Sequence, residues 1–309
     1  MIDTNAGGGM GKAMGFRETG GPEVLRLEEA PEPRPGPGQV RVRVKAAGVQ
    51  PFDLAVVAGV LPVPEPGAFT VPGNEFAGVV DEIGEGVEGF AAGDEVLGFG
   101  RLGGYQEFLV AGQDQIVPKP PEMPWEVAGG FTAAAQTADI AVEQIGVGPG
   151  DTVLVHGAAG SVGAMAVQLS RLRGAKALGV ARPARHRQVR ELGAIPLAYS
   201  EDFVERVAPY GVTAAIDGVG GAALEYTLEL VDDRSRILTL VDHDRAGELG
   251  IRTTPNDRSA ARLARLAALC ASGELTHRVM ATFPLAEAVE ALRTYQAGNI
   301  HGKIVLTMD

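Results

Sequence analysis

The sequence of 309 residues has little of what marks several large classes of protein. It has one cysteine, Cys270, which excludes an internal disulfide and any zinc site built from several thiolates. Its 27 basic and 39 acidic residues give a net charge of -12, which argues against nucleic acid or an anionic membrane as partner. No apolar run approaches the ~20 residues of a membrane-spanning helix, and no basic segment leads into an apolar one at the start. We therefore expect a soluble cytoplasmic protein.

What the chain does have is apolar residues and turn formers. Hydrophobic residues make up 45% of it, enough for a substantial core, and 43 glycines and 20 prolines predict many turns. The opening is polar and rich in glycine, so we expect a flexible N-terminal tail over residues 1–13.

Short strands punctuated by glycine and proline dominate the first 120 residues. Residues 25–29 and 39–47 predict a hairpin around the proline-rich connection 31–38, and the second run alternates apolar and charged side chains. Further strands are predicted at 76–84, 95–99 and 105–110. This part should form a compact, mostly β domain.

From residue 125 onward the pattern changes to alternating helices and strands. An alanine-rich helix is predicted at 125–145, and strands and helices then alternate from 152 to 241. Such alternation predicts a parallel sheet wrapped by helices, with a ligand crevice beyond the carboxyl ends of the strands. An amphipathic helix follows at 259–272, where Cys270 lies on the apolar face and is interpreted as an inert small hydrophobe rather than a nucleophile.

The central motif is the glycine-rich turn after the strand at 152–156. Gly157, Gly160 and Gly163 are spaced to allow a sharp turn, a close approach of pyrophosphate to the backbone, and tight contact between helix and strand. The positive end of the following helix would face the phosphates. A glycine-rich turn without a ligand is the alternative interpretation of this stretch alone.

Several motifs in a fixed order resemble one superfamily. Residues 46–53, 72–80, 93–96, 157–163, 217–221 and 302–306 resemble those of the medium-chain dehydrogenase/reductase superfamily, in its zinc-independent quinone oxidoreductase branch. The resemblance implies an α/β protein with a GroES-like β-rich catalytic domain and a Rossmann doubly wound parallel sheet. It implies a catalytic domain over 14–136, a Rossmann NADPH-binding domain over 137–284 and a return to the catalytic domain over 285–309. It also implies a homodimer joined by edge strands of the Rossmann sheets, with 236–241 as the candidate strand.

The resemblance also predicts whether the protein binds a metal and which reaction it catalyses. Zinc-dependent members would have cysteine at Gln50 and histidine at Asn74, and these two amides are not a competent Zn²⁺ ligand set, so no metal is expected. Without a Lewis acid, hydride addition to a quinone or an α,β-unsaturated carbonyl is easier than alcohol oxidation, because the charge spreads to a distant oxygen. The predicted substrate is a small hydrophobic quinone or enone.

The predicted cofactor is NADPH. No acid follows the strand at 178–180, where an NAD site would place one, and Arg182 and Arg185 could fork onto a 2′-phosphate. Alternatively, these arginines are a solvated helix start. The expected cofactor-binding set is Gly157, Ala158, Ala159, Gly160, Ser161, Val162, Gly163, Arg182, Arg185, Asp217, Val219 and Lys303.

The candidate catalytic residues are Gln50, Asn74 and Thr137. The two amides could donate to a carbonyl oxygen or merely hold the loop, and Thr137 could bond the nicotinamide carboxamide or its own helix backbone. Asp53 could brace a loop or take part in catalysis. His156 is interpreted as a packed strand residue rather than a proton donor. An apolar acceptor pocket is predicted from Phe52, Val56, Val57, Leu61 and Phe69.

Two other functions fit the same motifs. One is a pathway-specific enone or polyketide-type reductase, or a ring-modifying enzyme, of this fold. The other is a non-catalytic NADPH-binding sensor, which would bind the dinucleotide without oxidising it.

Overall fold

The computed structural model describes residues 9–308. They form two large β-sheets, which a buried helix connects, and a separate sheet of two strands. The strands are β1 (Met10–Gly15), β2 (Arg26–Pro31), β3 (Gln39–Val49), β4 (Glu75–Ile83), β5 (Glu95–Phe99), β6 (Phe108–Gly112), β7 (Ile116–Pro118), β8 (Thr152–His156), β9 (Lys176–Val180), β10 (Ile195–Leu197), β11 (Ala214–Asp217), β12 (Ile237–Thr239), β13 (Arg252–Thr253), β14 (Val279–Pro284) and β15 (Lys303–Thr307). The helices are α1 (Pro51–Val57), α2 (Trp125–Gly129), α3 (Phe131–Gln144), α4 (Ser161–Leu172), α5 (His186–Glu191), α6 (Phe203–Val207), α7 (Ala222–Leu230), α8 (His243–Leu249), α9 (Ala260–Ala271) and α10 (Ala288–Gln296).

The first large sheet has the order β14-β15-β3-β4-β5-β7, with β6 also paired to β3. Val40, Val42 and Val44 of β3 are fully buried, as the period-two pattern of that strand predicts. The predicted hairpin between 25–29 and 39–47 is wrong. β2 pairs instead with β1, because β3 already has β4 along one side and β6 and β15 along the other.

The start of β1 also shortens the predicted tail. Because β1 pairs with β2 from Met10 onward, residues 10–13 are part of a sheet and not of a tail. Residues 1–8 of that predicted tail lie outside the described residues.

The second large sheet is parallel throughout, in the order β10-β9-β8-β11-β12-β13. This is the strand order of a doubly wound dinucleotide-binding fold. The order reverses between β8 and β11, and ligands of such sheets bind beyond the carboxyl ends of the strands at that point. The edge strands are β10 and β13. The segment 236–241 is not an edge, since β12 lies between β11 and β13.

The boundaries between the two parts differ from the predicted ones. Residue 137 lies inside α3, whose buried side chains share one hydrophobic core with Ala77 and Leu97 of the first sheet and Val153 of the second. The chain returns to the first sheet at Val279 rather than at 285, because β14 pairs in parallel with β15. Because α3 packs against both sheets, the sequence pattern contains no change of character that would indicate a domain boundary there.

Within residues 9–308, no helix is long and apolar enough to cross a membrane.

Candidate functional site

The glycine-rich turn between β8 and α4 has the geometry that the sequence predicts. Gly157 takes a φ of +74°, which favours glycine. A Cβ on Gly163 would lie 2.2 Å from the carbonyl oxygen of Gly157, so only glycine allows α4 to approach the turn this closely. The helix begins at Ser161, and its first N–H groups have no acceptor within the helix. The turn therefore presents backbone donors and a positive helix end to an anion.

A cavity of about 640 Å³ lies against this turn. Seven residues of the predicted cofactor-binding set line it: Gly157, Ala159, Gly160, Ser161, Arg182, Arg185 and Val219. The other lining residues are Val180, Ala181, Pro183, Ala198, Tyr199, Gly218, Tyr295, Asn299 and Ile300. The lining contains two arginines and no carboxylate, which suits a phosphorylated ligand.

Five residues of the predicted set do not line this cavity. Ala158 and Gly163 are buried against the sheet, and Val162 packs on the core shared with α3. Asp217 is fully buried and acts on the next loop, where its Oδ1 accepts hydrogen bonds from the N–H groups of Val219 and Gly220, each at 2.9 Å. Asp217 thus positions Val219 at the cavity instead of contacting a ligand.

Lys303 is the clearest departure from the predicted set. Its side chain is buried, and its Nζ lies 2.5 Å from Glu75 Oε1. The other oxygen of Glu75 accepts a hydrogen bond from the N–H of Ala133, in the first turn of α3, at 2.7 Å. Lys303 therefore balances a buried carboxylate that holds α3 against the first sheet, because a buried charge requires a partner.

Sequence reasoning missed Tyr199, Tyr295, Asn299 and Ile300 at the same cavity. Three of them come from residues 295–300, which reach the cavity beside the glycine turn although they are remote from it in the sequence. Asn299 has a φ of +58°, and its Oδ1 accepts a 3.4 Å hydrogen bond from Arg182. The Ala297-Gly298-Asn299 turn was the available signal, but it does not show what the turn contacts.

His156 is a packed strand residue, as the sequence analysis favoured. Its Nδ1 lies 2.7 Å from the hydroxyl of Tyr199 and its Nε2 lies 2.9 Å from the hydroxyl of Thr227. Thr227 donates to the carbonyl of Ala223, so its oxygen accepts from the imidazole and Tyr199 donates to the other nitrogen. Burial lowers the pKa of His156 to about 4, which keeps the ring neutral at neutral pH. The ring also stacks on Tyr199, with centroids 5.7 Å apart, and fixes one wall of the cavity.

A second cavity, of about 570 Å³, lies between the two large sheets and is called here the acceptor cleft. Its lining consists of Phe52, Asn74, Phe99, Gly100, Arg101, Gln115, Thr137, Ile140, Thr254, Pro255, Asn256 and Arg258. The structure thus brings two of the three candidate catalytic residues, Asn74 and Thr137, together. The side chain of Thr137 makes no hydrogen bond within residues 9–308, so it does not bond back to its own helix. Thr254, Asn256 and Arg258 were missed, because nothing in their local sequence indicates a cleft.

The third candidate, Gln50, contacts Asn74 directly. Its Nε2 donates to Asn74 Oδ1, which leaves the Nδ2 donor of Asn74 for a ligand in the cleft. The two positions that would hold cysteine and histidine in a zinc-dependent member therefore hold two amides that bond each other. Within the described residues, no group of three or more His, Cys, Asp or Glu side chains is placed to bind a metal ion.

Asp53 braces the loop that carries Gln50. Its carboxylate accepts from the N–H of Gln50 at 3.0 Å, the N–H of Gly73 at 3.2 Å and the hydroxyl of Tyr105 at 2.9 Å. Burial raises the pKa of Asp53 to about 7, against the opposing effects of Tyr105 and Lys303. These bonds correspond to the loop-bracing role that the sequence analysis left open.

The predicted apolar pocket is wrong except for Phe52. Val56 and Val57 are buried in the core of the first sheet, and Leu61 packs against that core. Phe69 lies elsewhere, with the guanidinium of Arg17 4.9 Å from its ring centroid. The apolar face of α1 packs against the core of the first sheet, so Val56 and Val57 are not available to line a pocket. Cys270 packs half-buried against the shared core, and burial raises the pKa of its thiol, consistent with an inert residue.

Comparisons with known proteins identify the family of this chain. Residues 36–121 match the family described as "Alcohol dehydrogenase GroES-like domain" and residues 192–306 match "Zinc-binding dehydrogenase". A probable oxidoreductase from Mycobacterium abscessus is 31% identical in sequence, with a TM-score of 0.84 over 98% of this chain and 100% of that one. The chain belongs to the medium-chain dehydrogenase/reductase superfamily.

Two further relatives differ in what they are named for. The quinone oxidoreductase of Coxiella burnetii has a TM-score of 0.89 and 28% identity over 97% of this chain and 100% of its own. Polyketide synthase GfsB of Streptomyces halstedii is 32% identical over 283 residues, which is 85% of this chain. The chain spans only 5% of the length of GfsB, so that match concerns one part of a much longer protein.

Proposed function

We propose that this medium-chain dehydrogenase/reductase transfers hydride from NADPH to a quinone or an α,β-unsaturated carbonyl compound without zinc. The observation that carries the proposal is the hydrogen-bonded amide pair, Gln50 and Asn74, at the acceptor cleft. Two amides are poor ligands for Zn²⁺, but the free Nδ2 of Asn74 can donate to an acceptor oxygen on which charge develops. Quinones and enones need no stronger assistance than one or two such donors.

The residues at the glycine turn fit a dinucleotide. The N–H groups at the start of α4 and the turn at Gly157 would hold the pyrophosphate, and a side chain at Gly163 would block it by displacing the helix. Arg182 and Arg185 would receive a 2′-phosphate, since both line the cavity and no carboxylate there opposes the charge. When bound, the dihydronicotinamide supplies the hydride.

In the acceptor cleft the chain's own residues orient and shield the reactants. The unbonded hydroxyl of Thr137 would orient a carboxamide, and Asn74 would hold the acceptor oxygen. Phe52, Phe99 and Ile140 line the same space and would exclude water from it. Asp53 keeps the Gln50 loop in place through three hydrogen bonds and thereby fixes the position of Asn74.

A pathway-specific reductase of a polyketide-type enone is the second candidate. The 32% identity to a polyketide synthase over 85% of this chain favours it. Both candidates use the same cleft and cofactor, and they differ in the acceptor.

Acceptor-dependent oxidation of NADPH, followed at 340 nm, separates these functions. The panel would contain simple quinones, free enones and enoyl thioesters of N-acetylcysteamine. Turnover of quinones or free enones is expected for the main proposal, and turnover of the thioesters alone would favour the polyketide-type reductase. Binding of NADPH without oxidation by any acceptor would contradict both and would indicate a sensor.

We also propose a homodimer, joined through the β13 edge of the parallel sheet. At the opposite edge, β10 contains Pro196, which cannot donate a ladder hydrogen bond. β13 contains no proline, so it is the better edge for pairing.

A further inference from the structure

The acceptor cleft contains charged side chains of one sign only. Arg101 and Arg258 line it, and no aspartate or glutamate does. A neutral quinone or enone would bring no counter-charge to the half-buried Arg258, and a charge held away from bulk water without a partner is unfavourable. The lining therefore suits an acceptor that brings a negative charge with it.

Arg258 stands out because the fold does not use its charge. It is half-buried, yet its guanidinium makes no hydrogen bond or ion pair with any residue from 9 to 308. Arginines that surround α3 do have carboxylate partners: Arg262 contacts Asp139 and Glu143, and Arg173 contacts Asp139. Arg101 donates only one 3.3 Å hydrogen bond, to the carbonyl of Pro62.

The nearest carboxylates are already committed to other partners. Glu75 pairs with Lys303 and the N–H of Ala133, and Asp53 accepts three hydrogen bonds at its loop. Burial lowers the pKa of Arg258, while the fields of Glu75 and Asp53 raise it, and the group stays charged at neutral pH. The described residues therefore leave this guanidinium without a carboxylate partner, and an anionic ligand in the cleft would supply one.

The backbone beside Arg258 is anchored to the helix that carries Thr137. The N–H of Ser259 donates to Gln136 Oε1 at 2.9 Å, and Gln136 is fully buried in α3. The hydroxyl of Ser259 in turn caps α9 by accepting from the N–H of Arg262 at 3.2 Å. Gln136 thus fixes the 254–259 segment over the cleft, next to a predicted catalytic residue.

We propose that Arg258 binds a carboxylate of the acceptor, so that the preferred acceptors are compact enones or quinones that carry a carboxylate group. A guanidinium matches a carboxylate with two parallel hydrogen bonds, and a cleft of about 570 Å³ suits a small molecule. Arg258 is then a specificity-determining residue. Reduction of the acceptor rests on the proposed function, whereas binding of a carboxylate by Arg258 does not.

The kinetic test uses a matched pair of acceptors, trans-3-benzoylacrylate and its methyl ester. In the unmodified protein the acid should exceed the ester in kcat/KM by roughly 10- to 100-fold, mainly through a lower KM, as a charge-assisted hydrogen bond supplies. Arg258→Gln should bring this ratio close to one. Arg187→Gln, which removes an exposed arginine paired with Glu191, should keep the ratio. An equal use of acid and ester by the unmodified protein, or an unchanged ratio in Arg258→Gln, would overturn the proposal.

A binding measurement separates this inference from the reaction. Calorimetric titration with the saturated 3-benzoylpropionate should show binding that Arg258→Gln abolishes, whether or not any acceptor is reduced. If no acceptor is turned over but 3-benzoylpropionate binds through Arg258, the proposed reaction fails and this inference stands. If the acid does not bind, this inference fails. Because Arg258 has no structural partner, Arg258→Gln should not lower the melting temperature, and a fall of several degrees would contradict the assigned role.

Discussion

The proposed recognition of a 2′-phosphate would depend on single side chains that follow β9. Arg182→Ala and Arg185→Ala should each raise the KM for NADPH roughly 10- to 100-fold and leave the KM for NADH within about threefold, because each removes a charge-assisted contact to one phosphate. Steady-state kinetics with both dinucleotides measures this. Arg187→Ala is the matched control, since its side chain is 91% exposed and paired with Glu191. Equal loss with NADH and NADPH would contradict the assignment.

The imidazole of the half-buried residue His277 should make the protein sensitive to mild acid. Burial lowers the pKa of His277 to about 4. Below pH 6.5 the unfolded chain therefore binds a proton at this residue while the folded chain does not. The free energy of unfolding falls as the pH falls through this range. His277→Leu removes this effect and also an Nε2 that has no hydrogen-bond partner within the described residues.

Urea unfolding at two pH values tests this. Relative to the unmodified protein, His277→Leu should gain about 2 kcal/mol between pH 7 and pH 5. His243→Leu, at an exposed histidine, should show no such gain. The same pH dependence in His277→Leu and the unmodified protein would exclude a buried neutral imidazole.

At the residue scale, the sequence predicts local chemistry and misses contacts between distant segments. The positions of the glycine turn and Arg182 at the cavity were predictable because they depend on the strand that each follows directly in the sequence. Lys303 was misassigned because its partner, Glu75, is remote in the chain and adjacent only after β15 and β4 join one sheet. Tyr199 and Arg258 were missed for the same reason, since only the folded chain brings them to a cavity.

The first turn of α4 is the element on which the proposed dinucleotide binding depends. Gly163→Ala should weaken NADPH binding at least tenfold and destabilise the fold by about 1–3 kcal/mol, because its Cβ would collide with the carbonyl oxygen of Gly157. Fluorescence titration and urea unfolding measure the two effects. Gly247→Ala in α8 is the control, since a Cβ there meets nothing within 4 Å, and it should bind NADPH normally. Normal binding by Gly163→Ala would contradict the role of this turn.

Elements with strong periodicity were predictable, and their partners were less so. The alternation of apolar and charged residues in β3 identified a strand, but it could not show that β2 pairs with β1 instead of β3. The alanine-rich pattern at 125–145 predicted one helix, but the structure has α2 and α3 with Gly130 between them. The pairing of a strand and the interruption of a helix depend on which neighbouring elements already pack there, and a local sequence pattern does not contain that information.

For the whole molecule, strand order establishes the fold class and the shared core explains the boundaries. The predicted combination of a GroES-like domain and a parallel Rossmann sheet is confirmed by the strand orders and by the family matches. The division at 137 was not predictable, because α3 contributes Phe131 and Ala138 to a core that both sheets share.

The proposed homodimer should be visible in solution. Light scattering should give twice the chain mass of 32.0 kDa. Hydrogen exchange should protect the amides of the β13 edge more than those of the β10 edge, since only the first would pair with a second chain. A monomer at micromolar concentration, or protection at β10 instead, would contradict this arrangement.

The most direct test of hydride transfer without zinc is NADPH oxidation by the protein after exhaustive dialysis against a chelator, with zinc content measured on the same sample. The account predicts saturable NADPH binding and an unchanged kcat at a zinc content well below one ion per chain. Failure to bind NADPH, or activity that returns only with stoichiometric zinc, would contradict it.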